Sequence, residues 1–108
     1  MENTPPHRIV LTTASSPDEA RKIARALVEE RLAACVNIVN GVGSIYRWKG
    51  AIEESEEILL LIKTREDKLP QLEKAVRRLH SYDLPEFLVL RVEHGGTAYL
   101  QWLDETLQ

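Results

Sequence analysis

Residues 31–50 read RLAACVNIVNGVGSIYRWKG, and this stretch decides the architecture of the chain. Beyond its first two residues the sequence alternates with a period of two, which predicts a long β-strand with two distinct faces. The Gly41-Val-Gly43 segment interrupts the alternation and predicts a bulge or bend within the strand. Lys49-Gly50 is a tight-turn signal, so this strand and a second one over residues 51–64 are predicted to form a long hairpin.

The segments on either side of the hairpin predict two more strands and three helices. Arg8 to Ala14 is a β-branched, apolar run that indicates a buried strand. Ser16 is followed by proline and, three residues later, by glutamate, which is the pattern of a capped helix start. Asp67 is predicted to cap the second helix and Thr97 the last one. Phe87 to Val92 is predicted to be another buried strand.

The resulting order is strand, helix, strand, strand, helix, strand and helix. This order indicates an α+β protein of the ferredoxin-like βαββαβ class, with an antiparallel sheet and a C-terminal helix. We expect residues 1–108 to form a single domain of this type. The far half of the hairpin is polar and aromatic, so we expect it to project beyond the helices as an arm.

Composition narrows the classes of partner. The formal net charge of −3 argues against a nucleic-acid partner, which would require clustered basic residues. The longest apolar run, residues 58–62, is too short to cross a bilayer, and the N-terminal residues lack the pattern of a signal peptide. A single cysteine agrees with a reducing compartment. We therefore expect a cytoplasmic protein with no membrane partner.

Three segments resemble the CutA divalent-cation tolerance family. They are Ser44-Ile-Tyr-Arg-Trp-Lys-Gly50, the His-x-Tyr-x-x-Pro-Glu motif over residues 80–86, and the closing Tyr99-Leu-Gln-Trp102. The resemblance runs from about Ile9 to Leu103. It implies a homotrimer whose sheet edges are paired by neighbouring subunits, a role in tolerance of divalent metals such as copper, and no catalytic activity.

Cys35, His80 and Glu86 are the candidate metal ligands that coincide with the family motifs. The resemblance implies that they bind copper or another divalent cation weakly, because a single thiolate is a soft but isolated ligand. Each residue also has a structural interpretation. Cys35 fits a buried small hydrophobic residue, and the negative end of a helix dipole accounts for His80.

A second group of side chains is expected to meet at a subunit boundary. The group joins residues of the arm to residues near the second helix, in a pocket that suits either a small polar ligand or a structural hydrogen-bond cluster. Lys63 is expected to reach solvent or a carboxylate such as Glu86. His7 and His94 are expected at the surface. The pocket residues are Tyr46, Trp48, Glu56, Lys63 and Tyr82.

Enzymatic functions find little support in the sequence. An acylphosphatase-like site would require a phosphate-binding loop with an arginine before the first helix, but residues 12–16 contain neither glycine nor arginine. The alternative to a metal-tolerance protein is a trimer of the PII signalling type. Such trimers share this element order and bind small ligands between subunits, and Gly41-Val-Gly43 alone is too weak a motif to favour them.

Overall fold

The computed structural model describes residues 5–108 and contains four strands and three α-helices. A short 3-10 turn, Glu66–Lys68, precedes the second helix. No helix within residues 5–108 is long and apolar enough to cross a membrane. The strands are β1 (His7–Ala14), β2 (Cys35–Trp48), β3 (Ala51–Arg65) and β4 (Leu88–Arg91), and the helices are α1 (Pro17–Glu29), α2 (Leu69–Leu79) and α3 (Thr97–Thr106).

The four strands form one antiparallel sheet in the order β2-β3-β1-β4. β1 pairs with β3 along its whole length, from His7 opposite Arg65 to Ala14 opposite Ile58. β4 pairs with β1 over only four residues. This order is that of the split βαβ arrangement, so the ferredoxin-like fold predicted from the sequence is confirmed.

One face of the sheet packs against α1 and α2, and the core lies between these layers. α1 begins where the sequence predicts, because Ser16 Oγ accepts a 3.1 Å hydrogen bond from the Glu19 amide. The Glu19 carboxylate in turn accepts the Ser15 amide at 3.1 Å. The largest fully buried apolar side chains are Val10, Ile23, Leu27, Leu60, Ile62, Leu72 and Val76.

The β2–β3 hairpin contains the predicted bulge and the predicted turn. The pairing register shifts between Val39 and Val42, and Gly41 has φ +71°, a conformation that side chains other than glycine rarely adopt. At the tip, Lys49 and Gly50 have φ 50° and 81°, as a two-residue hairpin turn requires. The hairpin therefore continues beyond the bulge as an arm over residues 42–57.

Two predicted helix caps are wrong. Asp67 lies inside the 3-10 turn and accepts a 3.1 Å hydrogen bond from Arg65, while Lys68 occupies the cap position of α2 without a side-chain bond. Thr97 is the first residue of α3, and Gly96 occupies its cap position. The extra turn before α2 moves the helix start past Asp67, so its carboxylate is used by a different partner.

The last strand is shorter and more exposed than predicted. β4 covers Leu88–Arg91, and all four of its residues are exposed in the chain. Leu88 is 55% and Leu90 is 48% exposed, because they lie on the face of the sheet opposite α1 and α2. We call this surface the open face.

His7 is also placed differently from the prediction. It is only 7% exposed, and its Nε2 lies 2.9 Å from Asp104 Oδ1, an atom that also accepts a bond from Arg65. Although desolvation opposes the shift, the hydrogen bonds from His7 and Arg65 lower the pKa of Asp104. This cluster fastens α3 to the adjoining ends of β1 and β3. His94 is exposed, as predicted.

Candidate functional site

A cleft of about 690 Å³ lies where the arm, the end of β1 and the loop after α2 meet. The arm forms one wall, and the loop of residues 82–86 forms the other. The size is typical of sites for small molecules. The side chains and backbone that line it belong to Thr13, Gly43, Ser44, Ile45, Tyr46, Trp48, Glu57, Tyr82, Asp83, Leu84 and Glu86.

The bulge determines which side chains of the arm belong to the open face. Residues that are directly paired across an antiparallel ladder project to the same side of the sheet. Before the bulge Val39 pairs with Leu59, whereas after it Val42 pairs with Glu57 and Tyr46 with Glu53. The even-numbered residues of β2 beyond the bulge therefore share a face with the odd-numbered residues of β3. This parity places Tyr46 and Trp48 on the same face as Glu57, with Tyr46 opposite Glu53 and Trp48 at the tip of the arm opposite Ala51.

Glu57 is the buried carboxylate of the cleft. It is only 7% exposed, and its Oε2 accepts a 2.8 Å hydrogen bond from the Tyr82 hydroxyl. Desolvation raises the pKa of Tyr82, and the hydrogen bond to Glu57 raises it further, so the phenol remains the proton donor. This bond joins the loop after α2 to β3.

Glu86 supplies a second carboxylate to the same cleft. Partial desolvation raises its pKa, and the negative charge of Glu57 adds to the shift. Among residues 5–108, Glu86 forms no hydrogen bond or ion pair, and Glu57 forms one hydrogen bond, with Tyr82. The cleft therefore holds two neighbouring carboxylates with no cationic side chain bonded to either of them within the described chain.

His80 holds the loop in place through both ring nitrogens. Its Nε2 lies 2.5 Å from the carbonyl oxygen of Thr13, and its Nδ1 lies 3.0 Å from the amide nitrogen of Tyr82. Because a carbonyl only accepts and an amide N–H only donates, Nε2 carries the proton and Nδ1 accepts. Metal binding by either nitrogen would break one of these bonds. The Ser81 amide, which donates to Glu19 at 3.0 Å, fastens the loop at a further point.

Cys35 and Lys63 lie away from the cleft. They are paired across β2 and β3, with Lys63 Nζ 3.8 Å from Cys35 Sγ and also bonded to Asn37. Lys63 is opposite Ile9, whereas the cleft residue Thr13 is four positions further along β1. At about 3.3 Å per residue, Ile9 and Thr13 are about 13 Å apart along β1, so Lys63 lies about that far from the cleft. Lys63 therefore does not meet Glu86 within the chain, contrary to one sequence-based expectation.

Glu56 is not part of this cleft, and Glu57 takes its place. Glu56 pairs with Gly43 and is exposed, because even-numbered residues of β3 project away from the open face. The alternation of β3 identifies Glu57, because Leu61, Leu59 and Glu57 are alternate residues of the strand and project to the same face. Glu57 was not among the residues predicted for the pocket. A role for Glu56 at a subunit boundary stays a prediction.

The candidate metal ligands do not form one site within a single chain. Glu86 lines the cleft, His80 uses both nitrogens in backbone contacts, and Cys35 lies at the far level of the sheet. Among residues 5–108, no group of three or more His, Cys, Asp or Glu side chains is arranged to hold a metal ion. A copper ion bound jointly by these three residues therefore does not fit the geometry of one chain.

Known proteins resemble this chain in both sequence and structure. The sequence model of the CutA1 divalent ion tolerance protein family matches residues 8–106. The divalent-cation tolerance protein CutA of Thermus thermophilus is 53% identical over 97 residues, which cover 90% of this chain and 94% of the relative. Protein CutA of Homo sapiens is 44% identical over 105 residues, which cover 95% of this chain and 59% of the relative.

The solved structures agree with the sequence relatives. The structure of the divalent cation tolerance protein of Thermus thermophilus has a TM-score of 0.91 and 51% identity, covering 93% of this chain and 97% of its own. The Archaeoglobus fulgidus protein has a TM-score of 0.92 and 38% identity, covering 94% and 99%. Its name describes it as periplasmic, whereas an Arabidopsis thaliana relative, 42% identical over 103 residues, is named as chloroplastic.

Proposed function

The chain belongs to the CutA1 divalent ion tolerance protein family, and from this premise we propose that it acts in divalent-cation tolerance as a homotrimer without catalytic activity. The observation that supports assembly is the open face of the sheet. An apolar sheet face without a covering layer costs free energy in water, and packing against other subunits removes that cost. The number of three comes from the family resemblance.

The open face carries apolar side chains on all four strands. On β4, Leu90 is opposite Ile9 and Leu88 is opposite Leu11. On β3, Leu61 is opposite Leu11, and Leu59 projects to the same face two residues away. β2 and β4 form the two edges of the sheet, with unpaired backbone groups that a neighbouring subunit can complete. In a closed ring of identical subunits, the same contact pairs the exposed sheet edges of every subunit. The apolar side chains of this face are Ile9, Leu11, Val39, Leu59, Leu61, Leu88 and Leu90.

Copper binding in this proposal rests on Cys35. It is the only thiol in the sequence and is half-buried at the start of β2. A thiolate suits copper(I), but the neighbouring Lys63 ammonium repels a cation, and one ligand alone binds weakly. We expect weak binding, with His80 retained in its structural role.

Light scattering of the purified protein tests the assembly. A homotrimer should give a mass near three times the 12.3 kDa of the chain. A stable monomer at micromolar concentration would contradict the proposal, because the open face would then have to tolerate water. The cytoplasmic location stays a prediction, and fractionation of the source cells is its test.

Titration with copper(I) tests the thiol. Cys35→Ser should abolish the weak copper binding, while Glu56→Gln, which alters an exposed carboxylate of the arm, should leave it unchanged. Equal copper affinity in the parent and in Cys35→Ser would show that Cys35 is only a packing residue.

The cleft favours a second candidate function, the binding of a small ligand as in PII-type signalling trimers. Its volume of about 690 Å³ is far larger than a single metal ion needs, and its walls contain aromatic as well as charged groups. This candidate does not depend on copper. It requires that a small molecule enter the cleft in the assembled protein.

A further inference from the structure

The charge balance of the cleft indicates the kind of ligand that it can accept. The Glu57 carboxylate is only 7% exposed, yet its one hydrogen-bond partner within the described chain is the neutral Tyr82 hydroxyl. Glu86 adds a second negative charge nearby, which the Glu57 charge already disfavours. Lys63, a cation on the same face, is six residues from Glu57 along β3, or about 20 Å. A buried carboxylate without a cationic partner is costly, and a bound cation would remove that cost.

The wall of the cleft that the arm forms is aromatic. Tyr46 and Trp48 lie on the arm and are both partly exposed toward solvent. Aromatic faces attract cations and also bury apolar groups. An ammonium ion with an alkyl body combines both properties, since its head can donate hydrogen bonds to carboxylates and its chain can lie against the rings.

We propose that this cleft binds a primary alkylammonium ion, with its head between Glu57 and Glu86 and its alkyl chain against Tyr46. The inference deepens the second candidate function and rests on a small ligand entering the cleft. It is independent of copper binding at Cys35.

A divalent metal fits the cleft less well than an organic cation. Hard divalent cations take about six to eight oxygen ligands at short range, and the cleft supplies two carboxylates. The Tyr82 oxygen keeps its proton, which it donates to Glu57, so it is a poor additional ligand. No group of three or more acidic, histidine or cysteine side chains converges within residues 5–108. The aromatic wall would also have no role toward a metal ion.

The arm itself contains a contact between an ammonium group and an aromatic ring. Lys49 Nζ, a primary alkylammonium group, lies 5.8 Å from the centroid of the Trp48 ring. This distance is within the range of a cation–π interaction. The Trp48 ring is therefore already placed where an ammonium ion can approach it. A Lys49→Gln variant should bind an external alkylammonium ion at least as tightly as the parent, because a nearby positive charge is removed.

Titration of the assembled, ¹⁵N-labelled protein tests the inference, with the backbone amide signal of Tyr46 as the probe. The ligands are n-butylammonium, its neutral counterpart n-butanol, n-butyrate, adenosine triphosphate and calcium ion. We expect n-butylammonium to shift the signal to saturation, and n-butanol at the same concentration to leave it unchanged. Glu86→Gln should weaken the n-butylammonium affinity by about tenfold or more.

Glu56→Gln is the matched control, because it removes the same charge from the opposite face of the arm. It should change the affinity by less than about twofold, given the screening of exposed charges. An unchanged Trp102 signal and an unchanged mass would show that each variant is folded and assembled. If Glu86→Gln fails this control, Tyr46→Leu replaces it, and its loss of the aromatic wall should also weaken binding.

Several results would overturn the inference. Equal responses to n-butylammonium and n-butanol, or equal effects of the Glu86 and Glu56 variants, would remove the role of the charge. If calcium ion displaces n-butylammonium at a concentration below that of n-butylammonium itself, the cleft is a metal site instead. A response to n-butyrate or adenosine triphosphate alone would overturn the ammonium assignment and leave the second candidate function standing. No response to any of these ligands would overturn both.

Discussion

The hydroxyl of Tyr82 donates a 2.8 Å hydrogen bond to Oε2 of Glu57, and the two residues are 25 positions apart in the sequence. The bond connects the loop after α2 with the point where the arm leaves the body of the sheet. Since Glu57 is buried, its carboxylate depends on this donor for part of the stabilisation that water would otherwise supply. This one contact therefore stabilises the fold and also joins the two walls of the cleft.

Replacing Tyr82 with phenylalanine should destabilise the protein by roughly 1–3 kcal/mol, because a buried carboxylate loses its donor. Tyr46→Phe is the control, because the Tyr46 hydroxyl is exposed and its contact with Ser55 Oγ is long, at 3.4 Å. We expect that variant to change stability by less than about 0.5 kcal/mol. Urea unfolding of both variants measures the difference. Equal effects would mean that the Glu57 bond adds no stability beyond an exposed contact.

Glu86→Gln should alter the pH dependence of stability. The pKa of Glu86 is higher in the folded protein than its ordinary value of 4.5, so the folded state binds the proton more tightly than the unfolded state. Stability of the parent should therefore fall as the pH rises from 4.5 through the raised pKa. The variant lacks this loss, so it should melt at the same or a higher temperature at about pH 7. Below pH 4.5 the difference should disappear. A variant that melts earlier than the parent near neutral pH would contradict this sign.

Leu90→Glu should disrupt the proposed trimer, because it places a charge among the apolar side chains of the open face on the edge strand β4. Val28→Glu is matched in exposure but lies on α1, on the opposite side of the sheet. Light scattering should show a smaller mass for Leu90→Glu and the parent mass for Val28→Glu. If Leu90→Glu keeps the parent mass, the open face is not the assembly surface.

Gly41→Ala should destabilise the arm by roughly 1–2 kcal/mol, the cost of a left-handed conformation for a residue with a side chain. Gly41 has φ +71°, while an added Cβ would meet no atom within 4 Å, so the cost is conformational rather than steric. Gly43→Ala provides the comparison, because its added Cβ is also in open space and its φ is not in the left-handed range. Thermal melting should show the larger loss for Gly41→Ala. Equal melting temperatures would mean that the bulge tolerates a change of conformation.

The local features of the fold were predictable because they depend on neighbours in the sequence. The Ser16 cap, the Gly41 bulge and the Lys49-Gly50 turn each involve residues within a few positions of one another. The two cap predictions failed for Asp67 and Thr97 because the starts of α2 and α3 each differ from the prediction by one residue. Such shifts change the partner of a side chain without changing the order of elements.

The candidate site was less predictable, because its contacts join distant segments. The choice between Glu56 and Glu57 depends on the parity of β3 and on its register with β2 across the bulge. His80 was identified from a motif, but its two backbone partners come from the end of β1 and from the following loop. The pairing of Lys63 with Cys35 likewise depends on which residues of β2 and β3 are opposite each other.

The sequence by itself determined the order of strands and helices, the hairpin and its bulge, since periodicity and glycine conformations act over short distances. Only the tertiary structure decided which side chains meet in the cleft and which candidate ligands remain apart. A shift of one residue in strand register moves a side chain to the opposite face of the sheet. That register is set by the packing of all four strands together, so the sequence of one strand does not reveal whether its carboxylate lines the cleft or faces solvent.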